Sequence, residues 1–258
     1  MTNDKPKMYI ASCSFGKDSI CTILLALENN EPLDRVVFCE VMFDHSRNIS
    51  CEIPEHIEWI YNTAIPKLKS MGVKVDVVRS KDDYIGCVTH KLEKGNNAGK
   101  IQGFPIAGRC KINSSCKVRP IREYYKKWQE QYEIIQYIGI AADEPIRLAR
   151  LGEGKISLLA KYGYTEKMAM DKCKEYNLVS PCYLNSYRGG CWCCPNAKIR
   201  ELCQLRKHHP DLWEELRKLD LLQNRASNYF KYDKTLSDIE REMDLKEWND
   251  KQPKLFDI

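Results

Sequence analysis

Six consecutive residues, Ser14-Phe15-Gly16-Lys17-Asp18-Ser19, bring two hydroxyls, a glycine, a cation and a carboxylate to the point where a strand-like run gives way to an apolar-periodic one. Such a turn opens a helix. Its unpaired backbone N–H groups and partial positive charge suit an anion. Gly16 lets the backbone approach a phosphate closely, Lys17 adds a mobile cation, and Ser14 and Ser19 offer hydroxyl donors. Asp18 can cap the helix or hold Mg²⁺ against phosphate oxygens. A plain capped turn accounts for one or two of these residues, but not for a lysine beside a glycine at a strand-to-helix turn. The Walker arrangement is absent, because Asp18 follows Lys17 where Ser or Thr is required.

Cysteine is the second chemical resource. The chain has 13 cysteines, an odd number, and a polar N-terminus unlike an export signal. Both point to reduced thiols in the cytoplasm rather than a disulfide framework. Gly190-Cys191-Trp192-Cys193-Cys194-Pro195 holds a CxxC, Cys191 and Cys194, which supplies two ligands. The candidate second pair is Cys110 and Cys116, in a loop crowded with Arg109, Lys111, Lys117 and Arg119. Neighbouring cations lower thiol pKa values and balance the charge of thiolate-bound metal. Four thiolates serve a 4Fe–4S cubane or a structural Zn²⁺, with Cys182 and Cys193 as substitute ligands. Cys13, Cys21, Cys39, Cys51, Cys87, Cys173 and Cys203 read as small buried hydrophobes.

The elements that must position these groups alternate. Strands are expected at Met8 to Cys13, Arg35 to Phe43, Val73 to Val78 and Tyr132 to Ala141. Helices are expected at Ile20 to Leu27, Pro54 to Met71 and Ile121 to Gln131. This pattern implies an α/β fold, a doubly wound, mostly parallel sheet. Lys94 to Ser115 reads as a long loop. Further on, Ile156 to Asn177 and Ala197 to Leu221 look helical, the latter interrupted at Pro210, and the tail from Gln223 is polar. Residues 1–155 are therefore expected to form the nucleotide-binding domain, and 156–258 a helical, cysteine-bearing extension packed on it. No run approaches the roughly 18 apolar residues of a membrane span. A net charge of +5 suits a polyanionic ligand. Arg200, Arg206, Lys207, His208, Arg217 and Lys218 near Trp192, Trp213 and Tyr229 read as a solvated, salt-bridged face rather than a nucleic-acid surface.

The loop string resembles the PP-loop signature S-G-G-K-D-S of the ATP pyrophosphatases and the phosphoadenosine-phosphosulfate (PAPS) reductases, with Phe15 in place of the first glycine. A positive φ at Phe15 would be costly. Val41-Met42-Phe43-Asp44-His45 stands where the family contacts adenine or ribose, which implies nucleotide contacts for Phe43 and Asp44. Gly139 to Arg147 is similar to the family's G-x-R-x-x-E-S-x-x-R, so Gly139, Glu144 and Arg147 would shape the nucleotide site, with Ala141 replacing the first arginine. The cysteine pattern resembles 4Fe–4S adenylylsulfate reductases and the Fe–S subunit of DNA phosphorothioation systems.

The resemblance implies an adenine nucleotide alpha hydrolase-like sheet and ATP (or a sulfonucleotide) with Mg²⁺ at Ser14 to Ser19. It assigns catalytic roles to Lys17, Asp18 and Glu144, and a 4Fe–4S cluster, or alternatively Zn²⁺, to Cys110, Cys116, Cys191 and Cys194. Three functions are compatible with it. The first is ATP pyrophosphatase-type activation coupled to sulfur transfer, with a nucleic-acid or protein acceptor. The second is sulfonucleotide reduction, for which the family uses a C-terminal E-C-G-x-H; Trp248 to Ile258 contains no cysteine. The third is a non-catalytic nucleotide-binding module, oligomeric or bound to a partner.

Overall fold

The computed structural model describes residues 5–105, 110–185 and 189–251. The first half runs β1 (Lys7–Ser12), α1 (Lys17–Glu28), β2 (Arg35–Glu40), β3 (Met42–Asp44), β4 (Ile49–Ser50), α2 (Pro54–Trp59), a π-helical turn at Ile60–Ala64, and α3 (Ile65–Ser70). Next come β5 (Val75–Arg79), α4 (Tyr84–Thr89), a second π-helical turn at Asn113–Val118, α5 (Arg119–Gln129) and β6 (Glu133–Ile138). The remainder is α6 (Pro145–Leu148), β7 (Lys155–Ile156), α7 (Leu158–Lys161), α8 (Glu166–Glu175), α9 (Cys182–Asn185), α10 (Ile199–His208), α11 (Pro210–Asp220) and α12 (Leu236–Lys251).

The main sheet has the order β5-β2-β1-β6-β7, and every pair in it is parallel. Parallel strands need crossovers, and these put helices on both faces, as expected of a doubly wound α/β fold. Alternation along the strands divides the side chains. Met8, Ile10 and Val37 meet Tyr124 and Tyr125 of α5 on one face. Ala11, Val36 and Phe38 meet Ile20, Ile23 and Leu24 of α1 on the other, with Leu158, Ala169 and Leu178 closing that core. Residues beyond 155 thus pack into the first core with residues before it. From β1 the chain moves outward through β2 to β5, then returns to lay β6 on the opposite side of β1. That switch point opens a crevice at the strands' carboxyl ends.

A second core unites distant stretches: Val41, Phe43 and Cys51; Tyr84, Phe104 and Cys116; Trp192 and Cys193; and Leu216, Ile239 and Met243 from α11 and α12. The strand expected over 35–43 breaks after Glu40, because β3 leaves the main sheet to pair antiparallel with β4. The helix expected over 156–177 is likewise divided, and Gly163 (φ 70°) turns the chain between α7 and α8. Helix α12 was hidden by its polarity, yet it carries a start signal. Thr235 and Asp238 cap each other's backbone N–H groups, and Leu236, Ile239 and Met243 supply a narrow apolar stripe. Among the described residues no helix is long and apolar enough to cross a membrane.

A tight constraint on the site is at Gly139, just past β6. A Cβ there would stand 2.8 Å from the Asp18 carbonyl carbon and 2.8 Å from the Ser19 nitrogen. Gly139→Ala is expected to destabilise the protein by about 1–3 kcal/mol, as overpacking against backbone that cannot yield. A melting temperature equal to wild type would contradict this packing.

Candidate active site at the carboxyl edge of the sheet

Strand β1 ends at Ser12 and α1 begins at Lys17, so four residues make the turn. Phe15 takes φ 57°, the costly left-handed region, and its ring is 1 % exposed. The ring packs edge-on to Phe38 (5.2 Å between centroids) and Trp59 (6.5 Å). Core burial holds the strained backbone, and the Phe15 side chain is not a nucleotide contact. Ser19 closes the turn, donating to the Gly16 carbonyl (2.9 Å) and accepting from the Ser14 N–H (3.3 Å). Ser14 is exposed at the mouth. Gly16 is the N-cap of α1 without a side-chain cap, and the Lys17 N–H donates instead to the Tyr183 hydroxyl (2.9 Å).

Lys17 is not a mobile cation here. Its ammonium lies 2.9 Å from Asp18 and 3.0 Å from Glu166, and these carboxylates outweigh burial to hold its pKa above the ordinary value. Burial first, then Glu166 and Glu144 working against Lys17, push Asp18 upward. Glu144 accepts from the Ala141 N–H (3.1 Å) and from Arg147 (2.5 Å), while Arg147 remains half exposed beside the crevice. Gly139 acts by close packing rather than by ligand contact. Among the described residues no three His, Cys, Asp or Glu side chains stand ready around a metal ion. Mg²⁺ would therefore depend chiefly on phosphate oxygens, with Asp18 the nearest carboxylate to the turn.

Phe43 and Asp44 require correction. Phe43 is fully buried, 4.5 Å from the Trp192 ring and 5.2 Å from Tyr84. Asp44 accepts from the Ser46 N–H (2.8 Å), the Ser46 hydroxyl (2.6 Å) and Arg47 (2.5 Å), and Arg47 reaches on to Glu215 of α11 (2.7 Å). Neither side chain is available to a nucleotide. The strand break at Val41 turned this segment into the hairpin of the second core.

The cysteines sort by environment. Cys110, Cys191 and Cys194 are the half-buried ones; the rest of the described cysteines are buried. Burial and the charges of Cys191 and Cys194 raise the Cys110 pKa, so these three thiols share one region. Cys116 is fully buried, with Cys110, Cys191 and Cys194 at the edge of the same core. On its π-helical turn it faces Cys87 at 3.9 Å, deep in the second core. Cys51, read from the sequence as a packing residue, lies instead among the knot thiols, 3.5 Å from Cys193 and bonded to Cys191. The knot is held by an antiparallel bridge between Glu52 and Cys191 and by the Trp192 N–H to Cys51 carbonyl bond (2.9 Å). Arg109 lies outside the described residues.

One polar atom bears on what this region holds. The Tyr84 hydroxyl is buried and meets no hydrogen-bond partner among the described residues, yet Cys193, Cys51, Cys110 and Cys191 surround it electrostatically. A buried O–H left unpaired costs about 1–3 kcal/mol. Thiolate or sulfide acceptors would satisfy it. The thiols are of the kind that an iron–sulfur cluster or zinc takes, but among the described residues no three of them are gathered as a ligand set in this structure.

His56 was missed from sequence, and Lys117 was read only as one of the cations around Cys110 and Cys116. Lys117, half-buried, has no carboxylate partner among the described residues, and its charge acts on Cys13 at the end of β1, Cys39 in β2, Glu52 and His56. His56 is 1 % exposed, with Nε2 3.2 Å from the Ser14 carbonyl and Nδ1 2.7 Å from the Ser180 hydroxyl. Nothing local distinguishes His56, and only the tertiary fold brings both residues to the crevice. The basic C-terminal face is ion-paired as read: Arg206 to Asp244 and Glu247, Arg217 to Glu240, Lys218 to Glu215. Trp192 and Trp213 are buried beneath it.

No family model matches the chain. It is 25 % identical over 228 residues to an uncharacterized protein of Methanocaldococcus jannaschii, covering 82 % of this chain and 47 % of that one. The chain thus spans about half the length of this relative. Among solved structures, the U34-tRNA thiolase NcsA from Methanococcus maripaludis with its [4Fe-4S] cluster is similar at a TM-score of 0.41 and 15 % identity, over 90 % of this chain and 78 % of that one.

The Asp44–Arg47–Glu215 bridge predicts an acid sensitivity. Its Ser46 and Arg47 bonds hold Asp44 at about 2, and Arg47 holds Glu215 at about 2. Depressed carboxylate pKa values contribute stability above the unfolded pKa, near 4, and lose it as pH falls towards 2. Arg47→Ala should move the acid-unfolding midpoint upward and leave ATP affinity within about twofold, since an exposed pair is worth only about 0–1 kcal/mol. An unshifted midpoint by circular dichroism would refute the bridge; a lost ATP affinity would return Asp44 to the nucleotide site.

Proposed function

We propose that this chain is an ATP-dependent sulfur-transfer enzyme, which activates an acceptor by adenylation with loss of pyrophosphate and carries a thiolate-bound iron–sulfur cluster beside the nucleotide. The observation that carries the reading is that one cation bears on both resources. Lys117 acts at once on Cys13, beside the phosphate turn, and on Glu52, which bridges to Cys191 of the knot. A free phosphate loop alone would need no thiols, and a metal knot alone would need no anion turn.

In this reading the Gly16–Lys17 turn and the α1 N-terminus receive the phosphates. The exposed Ser14 hydroxyl and Arg147 offer further donors at the mouth. Lys17 is held by Asp18 and Glu166 until a phosphate competes for it, which keeps the ammonium in place and already desolvated. An acceptor oxygen attacks the α-phosphorus, the bond to the β-phosphate oxygen breaks, and pyrophosphate leaves as the acceptor becomes an adenylate. Lys117, whose charge reaches Cys13 beside the turn, would add a second cation towards the phosphates. The adenylate then leaves as AMP when sulfur replaces it. A cluster at Cys110, Cys191 and Cys194 would supply a sulfur-rich, redox-capable centre. The acceptor is a nucleic acid or a protein whose amide-like oxygen such activation makes a leaving group.

Lys17→Ala and Lys117→Ala should each weaken ATP binding or pyrophosphate release by roughly 10- to 100-fold, as loss of a charge-assisted contact. Pyrophosphate release from Mg²⁺–ATP unchanged in both variants would end the proposal. The cluster is tested apart, by iron, sulfide and zinc analysis after anaerobic purification. Serine at Cys110, Cys191 or Cys194 should bleach the protein, and serine at Cys116 should not. A colourless protein with stoichiometric zinc would replace the cluster with a structural metal.

A further inference from the structure

A buried chain of hydrogen-bonding groups runs from the phosphate turn to a thiol that the reading above does not use. The Ser14 carbonyl is 3.2 Å from His56 Nε2; His56 Nδ1 is 2.7 Å from Ser180 Oγ; Ser180 Oγ is 3.2 Å from Cys182 Sγ. A carbonyl only accepts, so Nε2 carries the imidazole proton, and Nδ1 is left as a bare acceptor. Burial lowers the His56 pKa, which keeps the ring neutral and Nδ1 open. The Ser180 hydroxyl has one proton. At rest it is donated to Cys182 Sγ; turned to Nδ1, it leaves oxygen lone pairs facing the Cys182 thiol. Cys182, Ser180 and His56 then stand in the order of nucleophile, relay and base, with the Ser14 carbonyl as the orienting group. Trp59 stacks on the imidazole at 6.0 Å and fixes its plane.

The thiol end of this chain has somewhere to react. Cys182 and Cys191 line one cavity of about 60 Å³, whose other walls include Ile53, Trp192, Leu202 and Leu205. That is room for about two waters. It is too small for a nucleotide but admits the one or two heavy atoms at the tip of a donor; Glu55, Glu201, His208 and His209 also stand on its wall, and the two carboxylates disfavour a small charged oxyanion. A sulfane sulfur, the outer sulfur of a persulfide, is small, weakly hydrated and electrophilic. Gly189 completes the wall, since a Cβ there would stand 3.5 Å from His56 Nε2 and 3.7 Å from Cys182 Sγ.

We propose that Cys182 is a nucleophilic thiol that takes a sulfane sulfur from a persulfide donor in this cavity, with His56 as its base through Ser180. The Cys182 proton passes to Ser180 as the Ser180 proton passes to His56. The thiolate attacks the outer sulfur of R–S–SH, a new S–S bond forms, and the donor's S–S bond breaks with its electron pair on R–S⁻. That leaving group takes the proton held at His56. The products are Cys182–S–SH and R–SH, with no net change of oxidation state. Burial pushes the resting Cys182 thiol up to about 11, so without a relayed base it would stay protonated and inert. The proposal rests on the sulfur-transfer reading for its biological sense, but its chemistry needs neither ATP nor the acceptor.

The test uses the full chain, purified anaerobically, with glutathione persulfide as donor and no ATP. After a timed reaction the protein is alkylated and digested, and each cysteine peptide is weighed for an added sulfur. The extra sulfur is expected on Cys182. Ser180→Ala should slow its appearance by at least about 10-fold, the lower range of a lost general base. Ser180→Thr, which keeps the hydroxyl, should restore most of the rate. Melting temperatures accompany both variants, and the serine-to-threonine rescue separates a relay from mere packing. Sulfur found on other cysteines with Cys182 bare would overturn the proposal, as would Ser180→Ala loading at the wild-type rate. Loading of Cys182 in a protein that never releases pyrophosphate would sink the adenylation reading and leave this thiol standing.

Discussion

Gly139 has no side chain, and the first turn of α1 occupies the space where one would stand. This contact, between the end of β6 and the backbone of Asp18 and Ser19, sets the crevice. It draws the two strands at the switch point against the same helix start. The turn from Ser14 to Gly16 must then be sharp, and Phe15 accepts a left-handed backbone to make it. The burial of its ring between Phe38 and Trp59 offsets the strain. A glycine would relieve the strain and lose the anchor. The chain has chosen a stiff turn over an easy one.

That stiffness reaches further through carbonyl and ring. The Ser14 carbonyl is one end of the His56 contact, and His56 is fixed by Trp59, the residue that also braces Phe15. Phosphate turn, imidazole and core are thus parts of one rigid assembly. Around it the electrostatics are opposed rather than neutral. Lys17 is matched by Asp18 and Glu166, while Lys117 has no such match among the described residues and acts on thiols and a buried carboxylate. An incoming polyanion meets one cation that must be released and one that is waiting.

Much of this frame could be read from sequence, and the limits have physical causes. The turn has a local signature, since backbone N–H groups at a helix start and the residues that line them are contiguous. The four long strands and the sheet's winding follow from alternation and from the handedness of crossovers. Strand two was read too long, because Val41, Met42 and Phe43 are as apolar as a strand should be. Only its pairing with Ile49 and Ser50 shows that it leaves the sheet. The thiols resisted for a related reason. Spacing places Cys116 beside Cys110 along the chain, but a π-helical turn swings it towards Cys87, and Cys51 arrives from another part of the chain. His56 and Tyr84 have no sequence pattern at all. Their meaning lies in what the fold leaves next to them.

The second core has a kinetic side. Val41, Tyr84, Phe104, Trp192 and Met243 are spread over most of the chain, and each of their contacts closes a long loop. Closing such loops costs entropy before any contact repays it, so structure of this kind is slow to form. The unit of β1, α1 and β2 pairs near neighbours and has no such delay. Order of assembly then follows from topology: the anion turn matures early, and the thiols gather last. Cys51, Cys110 and Cys191 lie far apart along the chain, and they come together only where the second core closes.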